Sequence, residues 1–291
     1  MFAPQKPPRK IAIVTHPAQP EVGDDVLHIA QILEKLGTDP VSVFTVYDPD
    51  LNRALKSGEV DVLIALGGDG TMLRAGHLAA PTGVPVLGIN RGRFGFLMEI
   101  NREDCSDRLQ QLVRGEFWLE TRMMLKSELF REGNSLGVWQ VLNEVVVCRG
   151  QYVRPILLTA SLDGYVLTSY NADGLIAATP TGSTAYALAV GGPIMPPELR
   201  NILIVPVAPH LSIDRSIILS EGSKVTIQVN TTHQAVLSAD GQPPVLLEDG
   251  DQVEVSASEY SVSFVRFQDP GYFYRNLNKY MEQNPITGGQ I

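Results

Sequence analysis

The pattern of apolar and polar residues changes near residue 115. Before that point, short runs of consecutive apolar residues alternate with stretches in which apolar residues recur every three or four positions. In residues 24–37, for example, Val26, Ile29 and Leu33 are spaced to share one face of a helix. Fully apolar strands that alternate with helices indicate a parallel sheet that is covered on both faces. We therefore predict an α/β domain with a doubly wound parallel sheet over residues 1–115.

In the rest of the chain, strand-like runs are separated by turn dipeptides. Residues 138–148 are predicted to form one such strand. The dipeptides Asp163-Gly164 and Asp249-Gly250 are typical of hairpin turns. We therefore predict a β-rich domain over residues 116–267, followed by a segment, 268–291, in which residues 272–283 have helical spacing.

The composition narrows the classes of function. The 291 residues include 32 acidic and 23 basic residues, which gives a net charge of −9. This acidity disfavours nonspecific binding to nucleic acids or to anionic membranes, because both surfaces repel a negative protein. The sequence has no run of about 18 apolar residues that could cross a bilayer. Cys105 and Cys148 are too few for a disulfide framework or a thiolate metal site, so we expect a cytoplasmic protein.

A glycine-rich loop, GGDGT at residues 67–71, follows an apolar run and precedes a helical one. It is therefore expected at the carboxyl end of a parallel strand, where α/β proteins bind ligands. Gly67, Gly68 and Gly70 are predicted to allow positive φ angles and a close approach of the backbone to a phosphate. The loop lacks the lysine of a P-loop and carries the carboxylate of Asp69 instead. Taken alone, the motif favours the simpler interpretation of a tight turn with a solvated aspartate.

Asn143 and Glu144 interrupt an apolar, β-branched run. An amide and a carboxylate that are buried in a strand are costly unless both find partners. Together the two groups can bind a vicinal diol such as that of a ribose. An edge strand that holds both side chains in water explains the pair equally well.

Residues 171–193 are rich in small and hydroxyl-bearing side chains. Small residues keep a protein surface low, so that a flat ring can lie against it, and Tyr186 adds an aromatic face. The alternative is a helix after a turn, capped by Ser183 or Thr184 and ended by Gly191. The length of the run favours a ligand-binding surface over packing alone.

Four motifs resemble those of the NAD kinase family in order and approximate spacing. They are GGDGT at 67–71, NE at 143–144, DGLIAATPTGSTAYALAVGGPI at 173–194 and DGQ at 240–242. GGDGT alone is shared with diacylglycerol and sphingosine kinases and, loosely, with phosphofructokinases. The long TPTGSTAY segment together with NE is much more selective for NAD kinases.

The resemblance implies that the γ-phosphoryl group of ATP is transferred to the 2′-hydroxyl of the adenosine ribose of NAD, with Mg²⁺ as cofactor and NADP as product. Inorganic polyphosphate stays open as a donor, because it presents the same phosphoanhydride. The resemblance also implies an NAD kinase-like two-domain fold in which segment 268–291 packs back on the α/β domain, and a homodimer or homotetramer. A lipid kinase of the same superfamily and a non-catalytic dinucleotide sensor are the alternatives.

The resemblance further assigns roles to single residues. Asp69 is expected to accept the proton of the attacking 2′-hydroxyl, to help position Mg²⁺, or both. Asn143, Glu144 and Asp173 are expected to contact NAD. Asn171 lies where the family often has arginine or glycine, near the variable end of the substrate, so it bears on the choice between NAD and NADH. The other expected nucleotide-binding residues are Gly67, Gly68, Gly70, Thr71, Arg74, Phe96, Arg154, Thr181, Thr184, Ala185, Tyr186, Ala187, Leu188, Ala189, Ala208 and Gln242.

Overall fold

The computed structural model describes residues 5–17, 22–92, 95–101, 104–210 and 212–282. By its contacts the chain divides into two compact units. The first unit is Met1–Thr121 together with Val262–Ile291, and the second unit is Arg122–Ser261. The sequence pattern placed the corresponding boundaries at 115 and 267. Both boundaries between the units fall inside long strands. Turn and loop residues in the sequence do not mark such boundaries.

The first unit is built on a parallel sheet. Its elements are the strands β1 (Ile11–Thr15), β2 (Ser42–Thr45), β3 (Val62–Gly67), β4 (Val86–Asn90) and β5 (Ile100–Asn101), and the helices α1 (Gly23–Lys35), α2 (Pro49–Lys56), α3 (Asp69–Ala79) and α4 (Cys105–Arg114). The strand order is β2–β1–β3–β4 with parallel neighbours, and β5 pairs with β4. This confirms the predicted α/β sheet.

The apolar stripe of α1 packs on this sheet. Val26, Ile29 and Leu33 belong to the same buried cluster as Ile13 of β1 and Ile64 of β3. The spacing of three and four residues brings these side chains to one face of the helix, and their burial stabilises the unit by roughly 1.5–3 kcal/mol for each side chain.

Helix α2 was not predicted. It has only eight residues and begins with Pro49, and the carboxylate of Asp48 accepts a hydrogen bond from the amide of Asp50 at 2.9 Å. Proline at the first helical position and an aspartate cap are local signals that start a helix without a long apolar stripe.

The second unit contains two sheets that share one core. Its elements are β6 (Trp118–Arg131), β7 (Asn134–Val141), β8 (Glu144–Arg149), β9 (Ile156–Leu162), β10 (Tyr165–Ala172), β11 (Gly174–Ala178), α5 (Tyr186–Ala189), β12 (Asn201–Val207), β13 (Ile217–Ser220), β14 (Val225–Asn230), β15 (Ala235–Ala239), β16 (Val245–Leu247) and β17 (Gln252–Arg266). One sheet runs β10–β9–β14–β17 with β6 and β7, and the other runs β13–β12–β11–β8–β15–β16. Leu158 and Ile227 of the first sheet share a buried cluster with Val145 and Leu175 of the second. This confirms the predicted β-rich domain.

The two predicted hairpin turns have different outcomes. Asp163 and Gly164 have φ angles of 51° and 87° and join the antiparallel strands β9 and β10, as predicted. Gly250 has a φ of 88°, but β16 and β17 belong to different sheets. The prediction of a hairpin at Asp249-Gly250 is therefore wrong, because this turn carries the chain from one sheet to the other.

The prediction of a single strand over residues 138–148 is also wrong. Strand β7 ends at Val141, β8 begins at Glu144, and the two strands lie in different sheets. Residues 142 and 143 therefore form a bend whose backbone must find hydrogen bonds outside a strand ladder.

The end of the chain returns to the first unit. The last residues of β17 pair in parallel with β4 through Phe264 and Val86, and helix α6 (Tyr272–Glu282) follows. Tyr272 and Phe273 of α6 are buried. Residues 283–291 of the predicted terminal segment lie outside the described part of the chain. Among the helices that the structure describes, none has the length and apolar character needed to cross a bilayer.

Candidate active site

The glycine loop joins β3 to α3 at the carboxyl edge of the parallel sheet. Gly68 precedes the helix with φ −123° and ψ −171°, and none of Gly67, Gly68 and Gly70 has a positive φ. The loop therefore does not use the positive φ angles that these glycines allow. A Cβ added to Gly68 or Gly70 would meet, among the described residues, no atom within 4 Å beyond its chain neighbours and the helix's own backbone. The glycines thus leave the backbone at the start of α3 without side chains, where amide N–H groups favour an anion.

Asp69 is the first residue of α3, and two backbone amides hold its carboxylate. Phe96 N–H donates to Oδ2 at 2.9 Å, and Leu97 N–H donates to Oδ1 at 3.1 Å. A Cβ added to Gly95 would collide with the Asp69 carboxylate, so a side chain at this position would displace that carboxylate from the place it has here. The structure therefore brings Asp69 and Phe96 together, and it contradicts the alternative of a merely solvated aspartate.

Thr71 and Arg74 lie further along α3. Thr71 is buried, and the Arg74 guanidinium lies 5.0 Å from the centroid of the Tyr47 ring, a cation–π distance. The Tyr47 hydroxyl lies 3.4 Å from Nε2 of His16. His16 follows β1 and Tyr47 follows β2, so Arg74 takes part in a cluster at the same carboxyl edge of the sheet as the glycine loop.

In the second unit, Asp240 organises the bend that carries Asn143 and Glu144. Its carboxylate accepts hydrogen bonds from the amides of Leu142 at 2.6 Å, Asn143 at 2.8 Å and Glu144 at 2.9 Å. Asp240 in turn donates its own amide to the Glu144 carbonyl at 3.0 Å. These bonds satisfy the amides that the break between β7 and β8 leaves without ladder partners. Sequence reasoning singled out the DGQ motif but assigned no role to Asp240.

The Glu144 side chain is only 8% exposed, which contradicts the alternative of an edge strand with both side chains in water. Burial raises the pKa of its carboxyl to about 8, the negative charge of Asp240 adds to this rise, and a hydrogen bond from the Tyr186 amide opposes it. The Oε2 atom is buried and has no hydrogen-bond partner among the described residues. A buried polar atom of this kind is costly unless a ligand satisfies it.

Residues 179–182 pack directly against this bend. Thr179 donates its hydroxyl to the Leu142 carbonyl at 2.6 Å and its amide to the Asn143 carbonyl at 2.9 Å. A Cβ added to Gly182 would collide with the Asn143 carbonyl, so the close approach requires glycine. Thr181 accepts a hydrogen bond from Nη1 of the buried Arg122 at 3.1 Å. The structure therefore brings Asn143, Glu144 and Thr181 into one region.

The predicted helix caps at Ser183 and Thr184 are wrong. Ala185 precedes α5 and makes no side-chain capping bond. The Thr184 hydroxyl donates to the Thr181 carbonyl at 3.1 Å, and the Ser183 hydroxyl accepts from the Met195 amide at 2.9 Å. Helix α5 provides four of the predicted pocket residues, Tyr186, Ala187, Leu188 and Ala189. Ala187 is buried, whereas Tyr186 and Ala189 are exposed.

The other predicted residues lie near strand ends of the second unit. Asp173 pairs with Arg149, with 2.9 Å between Oδ1 and Nε. Asn171 is fixed through its backbone, because its carbonyl accepts from the His210 amide at 2.7 Å and its amide donates to the Ser212 hydroxyl at 3.1 Å. Ala208 has a φ of 46°, the amide of Gln242 donates to the Ala239 carbonyl at 2.9 Å, and Arg154 is exposed.

The described residues contain no group of three or more His, Cys, Asp or Glu side chains placed to hold a metal ion. Asp69 offers a single carboxylate beside the glycine loop. Mg²⁺ is usually held by one or two carboxylates together with water and substrate phosphates, so this donor set fits a metal that arrives with a nucleotide.

Two family models match the chain. The model of the ATP-NAD kinase N-terminal domain matches residues 47–117, and the model of the ATP-NAD kinase C-terminal domain matches residues 142–267. The chain is 33% identical over 277 residues to the NAD kinase of Dehalococcoides mccartyi, covering 95% of this chain and 97% of that protein. It is 40% identical over 278 residues to the NAD kinase of Symbiobacterium thermophilum, covering 93% and 98%.

Two solved structures have similar folds. A yeast NADH kinase complexed with NADH aligns with a TM-score of 0.83 and 26% identity, covering 97% of this chain and 89% of that one. An NAD kinase from Archaeoglobus fulgidus in complex with ATP aligns with a TM-score of 0.72 and 26% identity, covering 94% and 99%.

Proposed function

Because the chain belongs to the NAD kinase family, we propose that it transfers the γ-phosphoryl group of ATP to the 2′-hydroxyl of the adenosine ribose of NAD and releases NADP and ADP. The observation that carries this assignment is the buried Glu144, whose Oε2 has no hydrogen-bond partner within the described part of the chain. A carboxyl group of this kind suits a ligand hydroxyl, and Asn143 stands beside it with an amide that can donate and accept. Asn143 and Glu144 thus hold a ribose diol.

On the donor side, the backbone at Gly68 and Gly70 takes the phosphate groups of ATP. Asp69 accepts the proton of the attacking hydroxyl, because along the chain its carboxylate is the one nearest the backbone amides of Gly68 and Gly70. The N–H groups of Phe96 and Leu97 fix the position of this carboxylate. Phosphoryl transfer depends mainly on positioning and on charge stabilisation, and both requirements favour a rigid loop. Bound Mg²⁺ would offset the negative charge of the phosphates, with Asp69 as the protein group available to it.

The segment that follows supplies the dinucleotide surface. This surface includes Tyr186 and its neighbours Thr181, Thr184 and Ala185. Asp173, which is paired with Arg149, borders the part of the surface that takes the nicotinamide end of NAD. Asn171 stands two residues before Asp173 and influences the choice between NAD and NADH. One structural relative is a kinase solved with NADH and another is a kinase solved with ATP, which supports both a dinucleotide acceptor and ATP as donor.

We further propose that the chain forms a homodimer or homotetramer in the cytoplasm. Strand β10 is at the edge of its sheet and exposes Tyr165 and Val166, which are 81% and 69% accessible. Apolar side chains on a free strand edge favour association with a second chain. Both cysteines, Cys105 and Cys148, are free thiols, as expected of a protein in a reducing compartment.

The test is incubation with ATP, Mg²⁺ and NAD, followed by an NADP-specific dehydrogenase that reports the product. NADP is expected, and Asp69→Asn is the matched inactive control. Tight binding of NAD without turnover would instead identify a dinucleotide sensor. Phosphorylation of diacylglycerol in a parallel reaction, without NADP, would identify a lipid kinase.

A further inference from the structure

A buried ionic cluster lies in the first unit, behind the amides that hold Asp69. Its centre is the fully buried Arg266, at the end of β17. Nε of Arg266 donates to Glu120 at 2.9 Å, and Nη1 donates to Glu99 at 3.2 Å. The Tyr272 hydroxyl of α6 donates to both oxygens of Glu120, at 2.9 and 3.0 Å. A buried arginine is tolerated only with such partners.

The same guanidinium also contacts the loop that holds Asp69. Nη1 of Arg266 donates to the Leu97 carbonyl at 3.2 Å, while the Leu97 amide donates to Oδ1 of Asp69 at 3.1 Å. Leu97 therefore uses one backbone group toward Asp69 and the other toward Arg266. Two residues later, Glu99 accepts the amide of Phe267 at 2.8 Å, which ties the same loop to the chain beyond β17.

We infer that Arg266 is a positioning residue for Asp69: it fixes the Leu97 peptide and thereby the orientation of the carboxylate. This inference rests on the proposed function, because it gives Asp69 its role in proton transfer. The guanidinium is planar and carries several donors in one rigid fork, so one side chain reaches Glu120, Glu99 and the Leu97 carbonyl together. A lysine carries its three N–H donors on one nitrogen, so it cannot reach both Glu120, which lies at Nε, and the Leu97 carbonyl and Glu99, which lie at Nη1.

The test compares Arg266→Lys with Tyr272→Phe. The lysine variant keeps the charge but gives up the fork, and it is expected to lower kcat about tenfold or more while the KM values for NAD and ATP stay within about threefold. Tyr272→Phe removes a hydroxyl from Glu120 and leaves the Leu97 contact in place. This control is expected to lower the melting temperature but not kcat.

Two readouts separate positioning from loss of structure. Hydrogen–deuterium exchange at residues 95–98 is expected to become about tenfold faster in Arg266→Lys, and unchanged in Tyr272→Phe. In an Asp69→Asn background, Arg266→Lys is expected to lower kcat no further, because the group on which it acts is already lost. Additive losses of kcat, or unchanged exchange with unchanged kcat, would overturn the inference.

Should Arg266→Lys not fold, Glu99→Gln tests the same contact, because Glu99 accepts from Nη1 of Arg266, the atom that also donates to the Leu97 carbonyl. Glutamine can still accept the Phe267 amide, but its NH2 group then faces Nη1 of Arg266. Faster exchange at residues 95–98 with a lower kcat is expected, and wild-type values of both would contradict the inference. The exchange measurement needs no substrate. If the wild-type protein made no NADP, the proposed function would be wrong. Hydrogen–deuterium exchange at residues 95–98 would still show whether Arg266 fixes the Leu97 peptide.

Discussion

At the scale of single residues, Asp69 of the first unit and Glu144 of the second have opposite surroundings. Asp69 accepts hydrogen bonds from two amides, which stabilise an anion and fix its orientation. Glu144 is buried, has one oxygen without a hydrogen-bond partner among the residues that the structure describes, and has a pKa raised to about 8. One environment suits a proton acceptor and the other suits a group that binds a neutral hydroxyl.

Replacing Asp69 by Asn keeps the size of the side chain but removes the proton acceptor. Turnover is expected to fall roughly 10²–10⁴-fold, the usual effect of a positioned base. NAD is still expected to bind, because a base acts mainly on the transition state. If Asp69 instead acts mainly through Mg²⁺, a higher metal concentration restores part of the activity. A near-native kcat with ordinary metal dependence would leave the loop without a catalytic carboxylate.

Replacing Glu144 by Ala is expected to weaken NAD binding much more than ATP binding. Removing the partner of a buried hydrogen-bonding group costs roughly 1–3 kcal/mol, which corresponds to about a 5- to 150-fold change in Kd. Calorimetric titration with each nucleotide measures both affinities. Glu198→Ala removes the same type of side chain from an exposed position and serves as the control. Equal NAD affinity in all three folded proteins would exclude Glu144 from the ribose site.

Glu144 also gives stability a pH dependence. Its folded pKa of about 8 lies above the ordinary value of 4.5, because of burial and the charge of Asp240. The folded state therefore holds a proton that the unfolded state has released, and the free energy of unfolding falls as the pH rises from about 4.5 to 8. In Glu144→Gln this contribution disappears. Melting temperatures recorded from pH 5 to 9 are expected to fall less steeply in the variant, and parallel curves would contradict the raised pKa.

At the scale of elements, the sequence predicted those parts whose burial depends on near neighbours. The apolar stripe of α1 repeats the spacing of a helix, and the short apolar run of β3 alternates along the chain with such stripes, as strands of a parallel sheet do. The break between β7 and β8 was not predictable in this way. It depends on Asp240, which is 97 positions from Asn143, and a local pattern does not contain that contact.

The functional residues likewise divide into those that a local sequence pattern reveals and those that depend on distant contacts. Asp69, Asn143 and Glu144 stood out because polar residues interrupt apolar runs or stand among glycines. Arg149 and Arg266 did not stand out, and Asp240 stood out only within the DGQ motif and without a role, because the roles of all three consist of contacts with distant positions. The caps predicted at Ser183 and Thr184 failed for a related reason. Their hydroxyls bond to Met195 and Thr181, so tertiary contacts replace the local capping bond.

Helix α6 provides a prediction at this scale. Its Tyr272 is bonded to Glu120 and its Phe273 is buried, so its removal exposes apolar surface and leaves Glu120 without the hydroxyl. Deletion of residues 271–291 is expected to lower the melting temperature by several degrees or more. Deletion of residues 283–291 alone keeps the helix and is the control. Equal melting curves for the full chain and the longer deletion would show that α6 does not stabilise the first unit.

At the scale of the whole molecule, two of the edge strands in the second unit, β10 and β16, differ. Strand β10 exposes the consecutive residues Tyr165, Val166 and Leu167, whereas β16, at the edge of the other sheet, exposes Leu246 alone among its large apolar residues. Successive residues of a strand point to opposite faces, so the apolar surface of β10 lies on both sides of the edge. Such an edge is prone to pair with another chain unless it is covered.

A homo-oligomer that uses this edge should dissociate when the edge becomes polar. The double substitution Tyr165→Ser with Val166→Lys is expected to lower the mass measured by light scattering after size-exclusion chromatography, because an aromatic contact is lost and charges from two copies meet. Leu246→Ser changes the exposed apolar residue of β16 and is expected to keep the wild-type mass. If the double variant kept the wild-type mass, or if the wild-type chain were a monomer, β10 would not be an interface, and a different surface or none would join the copies.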